Sequence, residues 1–277
     1  MSWHNEPMMA LDTETTGVNV EHDRIVSAAT IHVSRTGQQP RTWLSNVDGQ
    51  PIPEGATAVH GISTEHAHAN GQPAAEVIEQ LVTAIAEAVA TGIPIVGHNA
   101  VYDLSIIDRE ARRHLGAGLM NILGWHANLA VIDTMVLDRY VAPFRRRVSE
   151  TQGPYQLRTT ASTYGLIWDE KAAHGAEYDA LMSARVAWHI GNIASLRRAD
   201  YPEWVQRLRT QRFSELHGMT ALELHTSQML WAARDAAQYQ TWLRTKAPDG
   251  KRNPDAVVEG AWPLIPAPAT AEEVPSC

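Results

Sequence analysis

Four apolar residues, Met8 to Leu11, run directly into Asp12, Thr13 and Glu14, and this pattern predicts a buried strand over 7–13. "RIVSAATIHV" (24–33) predicts a second strand, "RTGQQP" (35–40) a turn, and "RTWLSNV" (41–47) a third strand. Short links between three such runs imply an antiparallel meander. "PIPEGATAVHGIS" (51–63) and "STEHAHANG" (63–71) are expected to be loops, with His66 and His68 solvated rather than ligating a metal.

The period then changes. In "PAAEVIEQLVTAIAEAVATG" (73–92) the residues Val77, Ile78, Leu81, Val82, Ile85, Ala88 and Val89 share one helical face, with Pro73 opening the helix and Gly92 closing it. "IPIVG" (93–97) and "AVIDT" (130–134) predict short buried strands, each leading into a helix, at 102–115 and near 134–142. A loop over 143–153 and helices over 155–165 and 177–197 follow. Strands first, then helices alternating with buried strands, imply an α/β fold: a mixed sheet covered by helices. From about 200 to 246 a helical extension is expected, with Leu222, His225, Met229, Ala232, Ala236, Tyr239 and Leu243 spaced along a stripe. The Pro- and Ala-rich residues 247–277 predict an extended tail. The expected division is therefore 1–199, 200–246 and 247–277.

Composition narrows the class. The chain has 277 residues, 44% hydrophobic and 19% charged, ordinary for a soluble globular protein. No run of about 18 apolar residues suggests a membrane span. The opening "MSWHNEP" lacks the basic-then-apolar order of a secretion signal, and the single cysteine, Cys277, allows no internal disulfide. A cytoplasmic setting fits both. A net charge of −8 argues against a protein coated in lysine for general nucleic-acid binding, but not against an enzyme that meets nucleic acid at one site. Arginines cluster at 109, 112 and 113, at 145–147, at 197 and 198, and at 207, 209 and 212. They are expected to be solvated helix faces and loop ends, although arginine also suits bidentate phosphate contacts. No P-loop pattern is present.

Residues i and i+2 of a strand point to one face, so Asp12 and Glu14 crowd the same spot beside a core. Like charges held so close repel unless a cation neutralises them, and hard divalent cations prefer oxygen. Asp103 falls in the first turn of a predicted helix. Asp179 opens the buried face of another, in register with Met182, Val186 and Ile190, and an acid there needs a partner. His174 lies five residues before it.

Together "LDTETTG", "GHNAVYD" and "HGAEYD" give D-x-E, a later Asp, then H-x4-D. Over about residues 6–195 this arrangement resembles the DEDDh 3′–5′ exonucleases, which include the epsilon proofreading subunit of bacterial DNA polymerase III and ribonuclease T. The histidine variant is indicated because Gly175 occupies the position where a tyrosine variant carries its tyrosine. The extension and tail more loosely resemble those of epsilon-like exonucleases from actinobacteria and their phages. The resemblance implies a ribonuclease-H-like mixed five-stranded sheet flanked by helices. It also implies hydrolysis from the 3′ end of single-stranded or frayed DNA, in proofreading or repair, with two Mg²⁺ ions about 3.5–4 Å apart and Mn²⁺ as a substitute.

On that basis Asp12 bridges both ions, Glu14 and Asp179 hold the one that binds the attacking water, and Asp103 supports the other. His174 takes the proton, since an imidazole titrates near neutrality. Thr15 and Thr16 are expected to donate hydrogen bonds to the terminal nucleotide. His60, Gly61 and Ile62 ("VHGIS") are expected to pack its base and sugar, and His98 and Asn99 to line the cleft. The expected partners are single-stranded DNA 3′ ends, with RNA ends or short oligonucleotides as the alternative substrate. A DNA polymerase or a second copy could engage the C-terminal helices, so that residues 200–277 act as a recruitment module. "QMLW" (228–231) faintly resembles a sliding-clamp peptide, but its place within a predicted helix argues against that use.

Overall fold

A computed structural model describes residues 2–124 and 127–268, so Cys277 and the end of the predicted tail lie outside the described residues. Strands β1 (Met8–Thr15), β2 (Ile25–Ser34), β3 (Gly37–Leu44), β4 (Ile95–Gly97) and β5 (Val131–Asp133) form one sheet in the order β3-β2-β1-β4-β5. The first three are antiparallel neighbours and β4 and β5 run parallel to β1. This is the expected ribonuclease-H-like sheet. The predicted turn shrinks to Arg35 and Thr36, because Gly37 to Pro40 pair with β2 as its outer edge. Both short parallel strands read as unbroken apolar runs because helices cover both faces.

The helices are α1 (Glu54–His60), α2 (Thr64–Asn70), α3 (Ala74–Ala90), α4 (Ala100–Leu115), α5 (Leu119–Leu123), α6 (Thr134–Val141), α7 (Leu157–Thr163), α8 (Ala176–Ser195), α9 (Glu203–Gln206) and α10 (Ala221–Thr245). Two expected loops are therefore helical. α1 ends at Gly61, whose φ of +75° suits a left-handed C-cap, and Ser63 caps α2 by accepting from His66 N–H. Each is two turns long and buries little, which leaves a weak apolar period to read. His66 and His68 are exposed, as expected.

Strand alternation sorts β1 between two cores. Met8 and Ala10 pack with Ile31, Val96 and Ile132 under α8, while Met9 and Leu11 pack with Ile25, Ile95 and Val131 under α3 and α4. Each fully buried Leu, Ile or Val contributes roughly 1.5–3 kcal/mol. By the same alternation Asp12 and Glu14 face α8, and Thr13 faces α4. α8 lies close to the sheet because Ala180, Ser183, Ala184, Ala187 and Gly191 form its buried side. A Cβ on Gly191 would fall 2.4 Å from His4, so only glycine fits there.

The C-terminal part packs on this body. α10 covers β5: Gln228, fully buried, donates to Val131 C=O (2.9 Å) and accepts from Asp133 N–H (2.8 Å), while His225 Nδ1 accepts from Val131 N–H (3.1 Å). The predicted stripe of α10 is corrected accordingly. Leu222, Met229 and Tyr239 are exposed, and the buried face carries Leu224 and Gln228, with Trp231 stacked on Tyr140. The segment from 247 is not an extended tail as far as residue 268. Trp262 is buried in the α3/α4 core, Ile265 N–H donates to Ser105 Oγ (2.9 Å), and Arg109 donates to Pro266 C=O (2.9 Å). Proline excludes regular helix here, yet the interspersed Trp262, Leu264 and Ile265 still bury apolar surface. No helix among the described residues is long and apolar enough to cross a membrane.

Candidate active site

One oxygen from each of Asp12, Glu14 and Asp179 can be chosen so that all three lie within 4.8 Å of one another. Asp12 and Glu14 reach this point from the end of β1, and Asp179 from the first turn of α8, whose close packing brings it over the strand. Burial, and for Asp12 and Glu14 mutual repulsion, raise the pKa values of these carboxylates. Asp12 is raised well above the usual carboxylate range by burial and then by Asp103, Glu14 and Asp179. Glu14 is pushed up to about 8 by burial, Asp179 and Asp103. Asp179 rises to about 6 through burial, moderated by the His174 imidazole and backbone. Its Oδ1 is buried and has no hydrogen-bond partner among the described residues. The donor set is all oxygen, anionic and incompletely satisfied, which fits a hard divalent cation.

Asp103 joins from the other side of the strand. It is buried in the first turn of α4, and its Oδ1 accepts from both the backbone N–H (2.9 Å) and the hydroxyl (2.6 Å) of Thr13. Burial raises it to about 7 against those two bonds. It stands outside the three-carboxylate group but gives the largest charge effect on Asp12.

His174 is exposed at the lip of the cluster, in the residue before the Gly175 N-cap of α8. Its φ of +60° lies in the left-handed region, a conformation that costs a non-glycine residue energy and concentrates at functional sites. The ring is close enough to act on Asp179 electrostatically while remaining open to water.

The expected substrate contacts divide. The Thr15 hydroxyl donates to Gly17 C=O and bonds the Tyr102 hydroxyl, and the Thr16 hydroxyl donates to Asp23. Both hydroxyls therefore build the 16–24 loop rather than point to a ligand, and a Cβ on Gly17 would strike Asp23 at 2.6 Å. His60 packs toward the backbone of Thr15, its Nδ1 accepts from Ile62 N–H (3.1 Å), and its buried Nε2 has no partner among the described residues. The His60-Gly61-Ile62 turn thus stands beside the carboxylate end of β1.

The structure corrects the place of His98. Its ring is spent on Thr134 Oγ1 and Tyr155 C=O, both at 2.8 Å, and burial pulls its pKa down to about 4, so it braces the scaffold instead of lining the cleft. Asn99, at φ +67°, occupies the N-cap position of α4 without a side-chain cap, and its N–H donates to Asp133.

A family model described as Exonuclease matches residues 9–187, well over half of the chain. The chain belongs to this exonuclease family. It is 29% identical over 180 residues to a DNA polymerase III subunit epsilon-like protein of Rhodobacter capsulatus, covering 64% of this chain and 22% of that protein. It is 28% identical over 195 residues to a ribonuclease T of Hahella chejuensis, covering 66% of this chain and 83% of the relative. Among solved structures it is similar to E. coli exonuclease I in complex with a dT13 oligonucleotide, with TM-score 0.56, 17% identity, and coverage of 67% of this chain and 41% of that one. The chain thus spans about a fifth of the Rhodobacter protein and about two-fifths of exonuclease I. These matches support the exonuclease resemblance and the fold expected from the sequence.

Several residues that build this site were not singled out from the sequence. Thr13 orients Asp103, Tyr102 ties α4 to the 16–24 loop, and Asp133 collects the N–H groups of Asn99, Met135 and Val136. Two arginines expected in solvent are internal braces. Arg109 is buried between Glu21 and Asp108, and Arg145 pairs with the fully buried Asp138. For Thr13 the only sequence clue is its position between the two acids.

Proposed function

We propose that this protein is a metal-dependent 3′–5′ exonuclease that hydrolyses phosphodiester bonds at the ends of single-stranded or frayed DNA. The observation that carries the reading is the convergence of Asp12, Glu14 and Asp179 within 4.8 Å, beside Asp103 and His174, in a chain of the exonuclease family. Two divalent cations, Mg²⁺ or Mn²⁺, would lower the pKa of a water and stabilise charge on the attacked phosphate and on the leaving oxygen. Asp12, Glu14 and Asp179 would hold them, with Asp103 supporting from the α4 side. His174, open to solvent at the lip, would accept the proton of the attacking water and pass it outward. The His60-Gly61-Ile62 turn would pack the terminal nucleotide, which apolar contact does without reading sequence. Asn99 would line the cleft, and the Thr15 and Thr16 backbones would flank it. A replicative, cytoplasmic setting with a polymerase partner belongs to the same reading, and the epsilon names of two relatives support it.

A second reading, trimming of RNA ends, is favoured by the ribonuclease T relative, because this chain matches 83% of that protein's length. Matched 5′-labelled DNA and RNA oligomers with added Mg²⁺ separate the two: shortening from the 3′ end is expected, faster on DNA. Asp12→Ala and Asp179→Ala should each abolish it with the fold retained, and His174→Ala should slow it by roughly 10²–10⁴. Undiminished turnover in either aspartate variant would remove the assignment.

A further inference from the structure

Beyond the carboxylate cluster, two adjoining cavities of about 360 and 470 Å³ lie between α6, the 142–156 loop, α10 and the returning 258–262 segment. They share Arg139, Tyr155, Asp235 and Tyr239, so they form one trough. One end is at Asn99 and Asp133, just past β4 and β5. Gly97 pairs with Asp133, and β4 runs parallel beside β1, so this end lies at the same end of the parallel strands as Asp12 and Glu14. Two strand spacings, about 10 Å, separate β5 from β1.

The charge of the outer half of the trough runs against that of the molecule, whereas the inner half is lined by Asp133, Asp235 and Glu259 with Arg139. In a protein of net charge −8, the outer cavity gathers Arg139, Arg145, Arg212 and Arg234 with one acid, Asp235. Arg145 is neutralised by Asp138, and Arg234 is 3.1 Å from Asp235. The Tyr140 hydroxyl takes up Glu215. Among the described residues no carboxylate pairs with Arg139 or Arg212. Arg139 is held instead over an aromatic face, 5.5 Å from the Tyr155 ring, and Arg212 lies 5.2 Å from the Tyr140 ring while its Nη1 donates to Tyr140 C=O (3.2 Å). A guanidinium held by a ring face keeps its N–H edge for a phosphate. Two aromatic side chains lining the outer cavity are open to solvent: Phe144 is 82% exposed, on a left-handed backbone, and Tyr239 is 53% exposed.

We propose that this trough binds a single nucleic-acid strand, with phosphates on Arg139 and Arg212 and unpaired bases stacked on Tyr239 and Phe144, and leads that strand to the carboxylate site. The inference rests on the nuclease reading for what lies at its end. Its occupant follows from the trough itself, since cations alternating with open aromatic faces suit a polyanion with planar rings, and a duplex offers no free faces. An acidic peptide would satisfy the arginines but not the rings.

The test is fluorescence anisotropy of 5′-labelled dT12 in EDTA over a salt series, on the full chain and on Arg139→Gln, Arg212→Gln and Tyr239→Ala, each checked for an unchanged melting temperature. Each arginine variant is expected to weaken binding about three- to tenfold and to reduce the salt slope by about 0.7. Tyr239→Ala should weaken binding about fivefold or more with the slope unchanged. Unchanged affinity and slope in all three variants would overturn the proposal. So would polyglutamate of matched charge competing as well as unlabelled dT12. With Mg²⁺ added, the variants should lose kcat/KM on dT12 but not on p-nitrophenyl thymidine monophosphate, which is too short to reach the trough. If the wild-type chain cleaves neither substrate, the nuclease reading fails, while the anisotropy series still decides the trough.

Discussion

Thr13 gives both its backbone N–H and its hydroxyl to a single oxygen of Asp103, across the strand that carries Asp12 and Glu14 on its opposite face. The strand alternation that aims two acids at α8 therefore aims their middle neighbour at the fourth acid, and fixes it. Thr13→Val keeps volume and the backbone bond but removes the hydroxyl. Loss of such an orienting contact costs about 10–100-fold in metal affinity or activity. That loss is expected in kcat on a labelled oligomer, with Thr13→Ser recovering most of it. A Val variant with wild-type kcat would show that the hydroxyl bond does not matter.

The acidic cluster makes stability depend on pH and on cations. Glu14, Asp103 and Asp179 have folded pKa values of about 8, 7 and 6, all above the ordinary carboxylate range. Between about pH 4 and 8 the native state therefore binds more protons than the unfolded chain, so this cluster's contribution to stability falls as pH rises. In EDTA the melting temperature should decline from about pH 6 to pH 8.5. Mg²⁺ or Mn²⁺ should restore it, and by more at pH 8 than at pH 5.5, because at low pH the ion must displace protons. Asp179→Asn should raise the melting temperature in EDTA at pH 8 and lose most of the cation response. Calorimetry across pH checks both, and an equal cation effect at pH 5.5 and 8 would contradict the cluster's assignment as ligands.

His98 acts in the opposite sense. Burial holds it at about 4, below its unfolded value of 6.5, so the unfolded chain takes up the proton first. Its contribution to stability is full above about pH 6.5 and is lost as pH falls toward 4. The ring bridges the start of α6 and the Tyr155 carbonyl, and burial disfavours a charge there even though the carbonyl favours the protonated ring. His98→Gln, which does not titrate, should be less stable than wild type at pH 7, and the gap should narrow at pH 4.5. Denaturant melts at the two pH values measure it, and a gap that stays constant would remove His98 from the acid response.

Much of the site was legible because its chemistry repeats at fixed spacing. Asp12 and Glu14 share a strand face, Asp179 leads the buried row of α8, and His174 lies one short loop earlier. The sheet order followed from the resemblance, whereas the strand pattern alone gave only a meander and buried runs. What escaped was polar and buried. Period analysis finds apolar faces, so its stripe on α10 included Leu222 and Met229, both exposed, and passed over Leu224 and Gln228, the two positions that are fully buried. Arg109 and Arg145 looked solvated because their partners, Glu21 with Asp108 and Asp138, are distant or unremarkable in sequence. His98 looked like a cleft residue because it stands in the same motif as Asp103, and only the fold reveals that Tyr155 claims its ring.

Gln228 gives the extension a role that can be measured. An edge strand leaves a row of N–H and C=O groups open to pairing with another chain. On β5 the Gln228 amide reproduces a strand's partners, donating to Val131 C=O and accepting from Asp133 N–H. Gln228→Leu keeps the packing but leaves both backbone groups buried and unpaired, each costing about 1–3 kcal/mol. A loss of about 2–5 kcal/mol is therefore expected in denaturant melts, with kcat on a short substrate nearly unchanged because β5 carries none of the three clustered acids. Removing 200–277 strips the whole cover from β5 and leaves the cavity left by Trp262 in the α3/α4 core, so that fragment should aggregate rather than stay monomeric in size-exclusion chromatography. A soluble, fully active 1–199 fragment would instead make the extension a detachable recruitment device, and the β5 cover would then be incidental.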